Sequence, residues 1–240
     1  MHDQESPENL PDEPAAKPAG ERAYSVLRNA DFFRYLIGRF VASLGQQMLV
    51  VAIDWELYQR THSALSLAFV GLSLMVPMIL CTIPAGHFAD TFSRKKIILI
   101  TTLILAAVSI ALTLTSYFAA PVFWIYICLA VLGAARTFLW PASAAFVTSL
   151  VPLNQFARAV TFNSGAFQFS SVIGPTVFGA VIALTPHAEE HGTAWSVYAL
   201  NALASIACFA LVLPIKHVHK AKPAKEVILT AVKTGGIIPL

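Results

Sequence analysis

Six long apolar segments, joined by connections that alternate between basic and base-free, constrain this chain more than any other feature. They run from about Leu36 to Tyr58, Leu65 to Phe88, Ile97 to Tyr117, Val122 to Leu150, Ala157 to Leu184 and Trp195 to Leu213. Each has about 17–25 residues or slightly more, which a helix rising about 1.5 Å per residue needs to cross a hydrocarbon core of about 30 Å. Composition agrees: 57% of the residues are hydrophobic and 12% charged, against about 45–50% and 25% in ordinary soluble domains. The expected fold is an all-α integral membrane bundle of six transmembrane helices.

Orientation follows from the basic residues. Lys17, Arg22, Arg28 and Arg34 precede the first span, Arg94, Lys95 and Lys96 separate the second from the third, and Arg158 lies by the next turn on that side. Lys216, Lys220, Lys222, Lys225 and Lys233 follow the last span, whereas the opposite side holds only Arg60. This thirteen-to-one division predicts cytoplasmic termini in a multi-pass protein of the plasma (inner) membrane. The net charge of +3 is accounted for by topology and does not point to nucleic acid. Residues 1–31, with Pro7, Pro11, Pro14 and Pro18 among acids, have the composition of a disordered cytoplasmic tail. They lack the layout of a signal peptide, so the bundle is expected over residues 32–214.

Polar groups inside the spans are the candidates for function, because an Arg or Asp at mid-helix costs about 2.5–3.5 kcal/mol to insert. Arg39, Ser43, Gln46, Gln47 and Asp54 fall on one face of the first span. That stripe either faces other helices and water, or is no more than Arg39 snorkelling to one interface with Asp54 and Glu56 marking the other. Arg136 lies too deep in the fourth span to reach either surface and needs a partner within the bundle. A direct pair with Asp54 is one option, although Asp54 stands closer to the outer end. Ser164, Gln168 and Ser171 form a polar face of the fifth span, suited to lining a cavity or to hydrogen bonds between helices of about 0.6 kcal/mol each.

The connection Gly86-His87-Phe88-Ala89-Asp90-Thr91-Phe92-Ser93-Arg94-Lys95-Lys96 resembles the loop between the second and third helices of the major facilitator superfamily. Gly86, Ala89, Asp90, Arg94 and Lys95 match that motif, while Thr91 and Ser93 replace a base and a glycine. Arg136, in Leu132-Gly133-Ala134-Ala135-Arg136, is similar to the family's fourth-helix arginine. Gly165, Gly174, Pro175 and Gly179 resemble the fifth-helix signature of its proton-coupled antiporters. Trp55-Glu56-Leu57-Tyr58, Thr61-His62-Ser63, Pro77 and Pro84 are similar to the branch containing enterobactin and macrolide exporters. The resemblance implies two inverted three-helix repeats forming half of a twelve-helix fold. Residues 215–240 would then begin the cytoplasmic linker, in a chain that looks truncated or that works with a missing C-terminal half.

On this resemblance the expected function is secondary active transport, with proton-coupled efflux of an amphipathic small molecule by alternating access. Asp54 is the candidate proton-responsive group and Arg136 the charge that orients substrate, with Gln46, Gln47 and Gln168 along the pathway. Gly86, Asp90, Arg94 and Lys95 form a conformational latch, and Gly165, Gly174, Pro175 and Gly179 a helix-packing motif. The alternatives are a non-transporting half or an assembly partner of a second six-helix chain. A metalloprotease is a remote one, because His187-Ala188-Glu189-Glu190-His191 fits a zinc pattern but sits in a short turn with no third ligand. Cys81, Cys128 and Cys208 lie in separate spans without metal or redox spacing. No nucleotide loop, cofactor, metal or catalytic residue is expected.

Overall fold

The computed structural model describes residues 24–152, 155–184 and 194–216, leaving aside the side chains of residues 24, 25, 89 and 90. A 3-10 turn over Tyr24–Arg28 leads into α1 (Ala30–Thr61), α2 (Ala64–Thr91), α3 (Arg94–Tyr117), α4 (Val122–Leu150), α5 (Phe156–Leu184) and α6 (Ala194–Val212). All six helices are long and apolar enough to cross a membrane. Among the described residues there is no strand.

The spans differ from expectation mainly at their charged ends. Hydropathy alone starts the first span at Leu36, but α1 starts at Ala30 because the Asn29 side chain accepts from the backbone N–H groups of Asp31 and Phe32. That cap satisfies donors a helix start otherwise leaves open and carries the helix past Asp31 and Arg34. Within the stretch expected as a tail, Tyr24–Arg28 form the 3-10 turn, and Val26 is fully buried in the core. Residues 1–23 lie outside the described residues, as do the His187–His191 turn and all of the linker beyond Lys216.

The helices pack in the spatial order α5, α1, α6, α3, α4, α2, with slighter contacts of α1 with α2 and α4 and of α4 with α5. Exchanging α1 with α4, α2 with α5 and α3 with α6 turns this set of neighbours into itself. A shift of three helices reverses direction, so the bundle is two inverted three-helix repeats. The outermost helices show it in their burial: 6% of the apolar window of α2 and 17% of that of α5 are buried, against 39–50% in the other four. Close approach depends on small residues. Gly133 of α4 lies on the backbone carbonyl of Leu74 in α2, and a Cβ at Gly174 of α5 would come within 2.6 Å of the Gln47 Cβ and 3.3 Å of the Leu44 carbonyl in α1.

A polar joint holds the middle of the row. Asn201 of α6, 1% exposed, donates to Ser109 Oγ of α3 at 2.7 Å, and Ser109 donates to the Leu105 carbonyl. The two ends of the bundle differ in chemistry. At one end, called the basic end, Asn29 donates to the Leu150 carbonyl at 2.9 Å and Arg94 to that of Ala145 at 3.0 Å, while Lys95 donates to those of Leu213 and Ile215. The bonds to Leu150, Leu213 and Ile215 fill acceptors at or just past the C-terminal ends of α4 and α6, and Arg94 and Lys95 put cations beside the negative dipole ends. At the far end Trp55, Tyr58, Tyr117, Trp124 and Trp195 stand exposed, as residues of a membrane interface do.

Candidate functional site

A cavity of about 500 Å³ lies between α1, α4 and α5. From α1 it takes Arg39 and Ser43, one turn apart on the polar stripe, and from α5 Asn163, Ser164 and Gln168. α4 supplies Trp140 and Ser143, and Trp140 meets Phe167 of α5 edge to face, with ring centroids 6.1 Å apart. The cavity begins near the basic end at Val147 and Phe156 and reaches Gln168, twelve residues or about 18 Å along α5. Arg39 is half-buried, with the buried Tyr35 hydroxyl beside it.

Of the five pathway candidates, only Gln168 lines this cavity. Gln47 is occupied by the seam with Gly174, and Gln46 is half-buried elsewhere on α1. Asp54 and Arg136 are not brought together: the described residues contain no ion pair between them. Asp54 stands about 10 Å from the far end of α1 and Arg136 about 21 Å from the same end of α4, an axial offset of about 10 Å. Arg136 is inside the bundle as expected, and its Nε finds no acceptor among the described residues. On α5, Ser171 bonds back to the Gln168 carbonyl of its own helix. Its neighbour Ser170 is the one that reaches α1, donating to the Phe40 carbonyl at 3.3 Å.

A buried network at the far end went unread in the sequence. Glu56, 5% exposed, pairs with Arg60 one turn on and accepts from the Tyr198 hydroxyl of α6 at 2.6 Å. Arg60 also donates to the carbonyls of Ala120 at 2.9 Å and Ser116 at 3.2 Å, beside the end of α3. One carboxylate and one guanidinium thus tie α1 to α6 and to the α3–α4 turn. Glu56 is not merely a marker of the membrane surface, and Arg60 is not a free loop base.

The remaining motif residues divide. Arg94 and Lys95 hold the C-termini of α4 and α6 through backbone carbonyls, while the side chain of Asp90 lies outside the described residues. A Cβ at Gly86, Gly165 or Gly179 would meet no atom within 4 Å. Of the glycines in the expected packing motif, Gly174 makes the close approach, and Pro175 follows it inside a continuous α5. Gly133, which the sequence offered only as part of the Arg136 motif, closes the corresponding seam between α4 and α2.

Comparison with known proteins agrees with this architecture. Macrolide efflux protein A of Streptococcus pyogenes is 28% identical over 176 residues, covering 73% of this chain and 40% of that protein. The multidrug efflux pump Tap of Mycobacterium tuberculosis is 25% identical over 205 residues, covering 80% and 47%. The staphyloferrin A transporter of Staphylococcus aureus is 26% identical over 148 residues, covering 60% and 37%. The chain thus spans less than half the length of these relatives. Among solved structures, a bacterial homologue of the human lysosomal transporter Spinster, inward-facing and unoccupied, superimposes with a TM-score of 0.60 at 16% identity. That match covers 92% of this chain and 50% of the other. The sequence profile of the Major Facilitator Superfamily matches residues 35–236, and with six membrane-capable helices in two inverted repeats the chain belongs to that superfamily.

Proposed function

We propose that the chain serves proton-coupled efflux of an amphipathic small molecule by alternating access, with the basic end in the cytoplasm of a cell whose plasma (inner) membrane it spans. The observation that carries this reading is the cavity, which joins hydroxyl and amide groups to an exposed aromatic wall on the α1–α4–α5 face of a transporter-family bundle. Such mixed lining suits a solute with polar and apolar parts, and the efflux proteins among the relatives point the same way. On this reading Asp54 is the proton-responsive group, Arg136 a fixed charge that orients substrate, and Gly86, Asp90, Arg94 and Lys95 a latch. Arg94 and Lys95 would act by releasing the α4 and α6 carbonyls when the bundle rocks.

A second reading is that the chain is one half of a transporter and works only beside a second six-helix unit. The bare outer faces of α2 and α5, and the coverage of less than half of each relative, favour it. Flux assays in proteoliposomes with an imposed pH gradient separate the two. Gradient-driven movement of anilinonaphthalene sulfonate, an amphipathic dye, that is lost in Asp54→Asn and reduced in Arg136→Ala supports transport by these residues. Unchanged flux in both variants refutes the site assignment, and flux that appears only when a second six-helix unit is co-reconstituted supports the second reading.

A further inference from the structure

We propose that the cavity selects an organic anion, with Arg39 receiving the charged group and the Trp140–Phe167 wall its apolar body. The inference rests on the transport reading and names the class of substrate. Among the described residues no Asp or Glu lines the cavity, and the one formal charge there is the Arg39 guanidinium. The acids on the described helices are engaged or distant. Asp31 lies 3.9 Å from Arg34 and Glu56 pairs with Arg60. Asp54 is fifteen residues, about 22 Å, along α1 from Arg39, and Asp90 is on α2, which does not border the cavity.

Arg39 lies nine residues, about 13 Å, into α1, near the basic end of the bundle, with the Tyr35 hydroxyl beside it and the cavity before it. Among the described residues no carboxylate pairs with the half-buried Arg39 guanidinium, and a carboxylate, sulfonate or phosphate offers the bidentate acceptor that its planar fork matches. The same field repels a cationic ligand. Ser43, Asn163, Ser164 and Gln168 add neutral groups that can bond the anion's remaining oxygens. The shared chemistry is an anionic head on an apolar body, which a free solute or an anionic lipid both supply.

The test is equilibrium binding to the full chain in phosphatidylcholine nanodiscs, which reads the site without requiring transport. Two fluorescent probes share one aromatic framework: anilinonaphthalene sulfonate carries the anion, and phenylnaphthylamine lacks it. Arg39→Gln should weaken the sulfonate probe at least tenfold and the neutral probe less than twofold. Arg39→Lys should restore most of the difference, and Arg34→Gln should leave both probes unchanged. Energy transfer from tryptophan to the bound sulfonate should fall more in Trp140→Phe than in Trp124→Phe, at the far end of the same helix. Equal effects of Arg39→Gln on both probes, or no effect on either, would overturn the proposal, as would transfer insensitive to Trp140. Adding phosphatidylglycerol to the nanodiscs identifies the source: competition that depends on Arg39 assigns the anion to a lipid headgroup, and its absence assigns it to a free solute. A chain that binds the sulfonate as described but moves no solute in the flux assay would retain the anion site and lose the transport reading.

Discussion

Tyr198→Phe removes one hydroxyl and leaves the ring, so it isolates the hydrogen bond that links α6 to Glu56. The bond is 2.6 Å long between groups 0% and 5% exposed, and a hydrogen bond to a charged partner contributes about 1.5–3 kcal/mol in soluble proteins. Within membranes the measured contribution averages about 0.6 and peaks near 1.7 kcal/mol, because the separated helices find other partners. Glu56 is five residues, about 8 Å, from the end of α1, so in a dissociated α1 it can reach interfacial water. Arg60 also keeps the carboxylate paired after the hydroxyl is gone. Both considerations favour the lower scale, and the expected loss is about 1 kcal/mol. Glu56→Ala should cost about 2–3 kcal/mol, since it also leaves the half-buried Arg60 without its carboxylate partner. In that background Tyr198→Phe should cost almost nothing, which gives a coupling of about 1 kcal/mol in a double-mutant cycle. Reversible unfolding in mixed micelles, followed by tryptophan fluorescence, measures all four species. Additivity within about 0.3 kcal/mol would show that the two groups do not act on each other, and the network would lose its role as a clasp.

The glycines give a contrast within one fold. Gly133→Ala places a methyl group against the Leu74 backbone carbonyl and should destabilise by about 1–3 kcal/mol, whereas Gly165→Ala meets open space and should be neutral or gain up to about 1 kcal/mol in helix propensity; thermal unfolding in detergent ranks them. Lys95→Met removes the donor to Leu213 and Ile215 and should speed amide hydrogen exchange at the end of α6, while Lys96→Met, on an exposed side chain, should not. Asn201→Leu strips the donor from Ser109 and should destabilise by about 0.6–1.7 kcal/mol, with unfolding free energies unchanged from the native chain as the contrary result.

The six helices were legible in the sequence because span length and hydropathy are local properties, and their ends shifted where the helix runs on into polar or charged flanks, as at the Asn29-capped start of α1 and at Arg94 of α3. Half of the cavity was legible as well: Arg39 with Ser43, and Ser164 with Gln168, each lie one turn apart on a polar face. The joining of those faces was not, because it depends on α5 and α4 both lying against α1. Glu56 and Tyr198 are 142 residues apart, and neither has a periodic signal to mark the other. The one-residue difference between Ser171 and Ser170 is a rotation of about 100°, which decides whether a hydroxyl meets its own helix or α1. Arg136 could be placed at mid-depth by counting, yet only packed helices could separate it from Asp54.

The seams between α1 and α5 and between α4 and α2 correspond under the exchange of repeats. In the first the glycine belongs to the outer helix, and in the second to the inner one. What the two halves of the bundle share is therefore a spacing between main chains rather than a residue at matching positions. An ancestor copied head to tail could lose every trace of sequence likeness between its copies and still keep both gaps shut, provided one partner at each crossing stayed bare. A comparison of the two repeats should accordingly weigh how closely the backbones approach at each crossing above the letters that stand there.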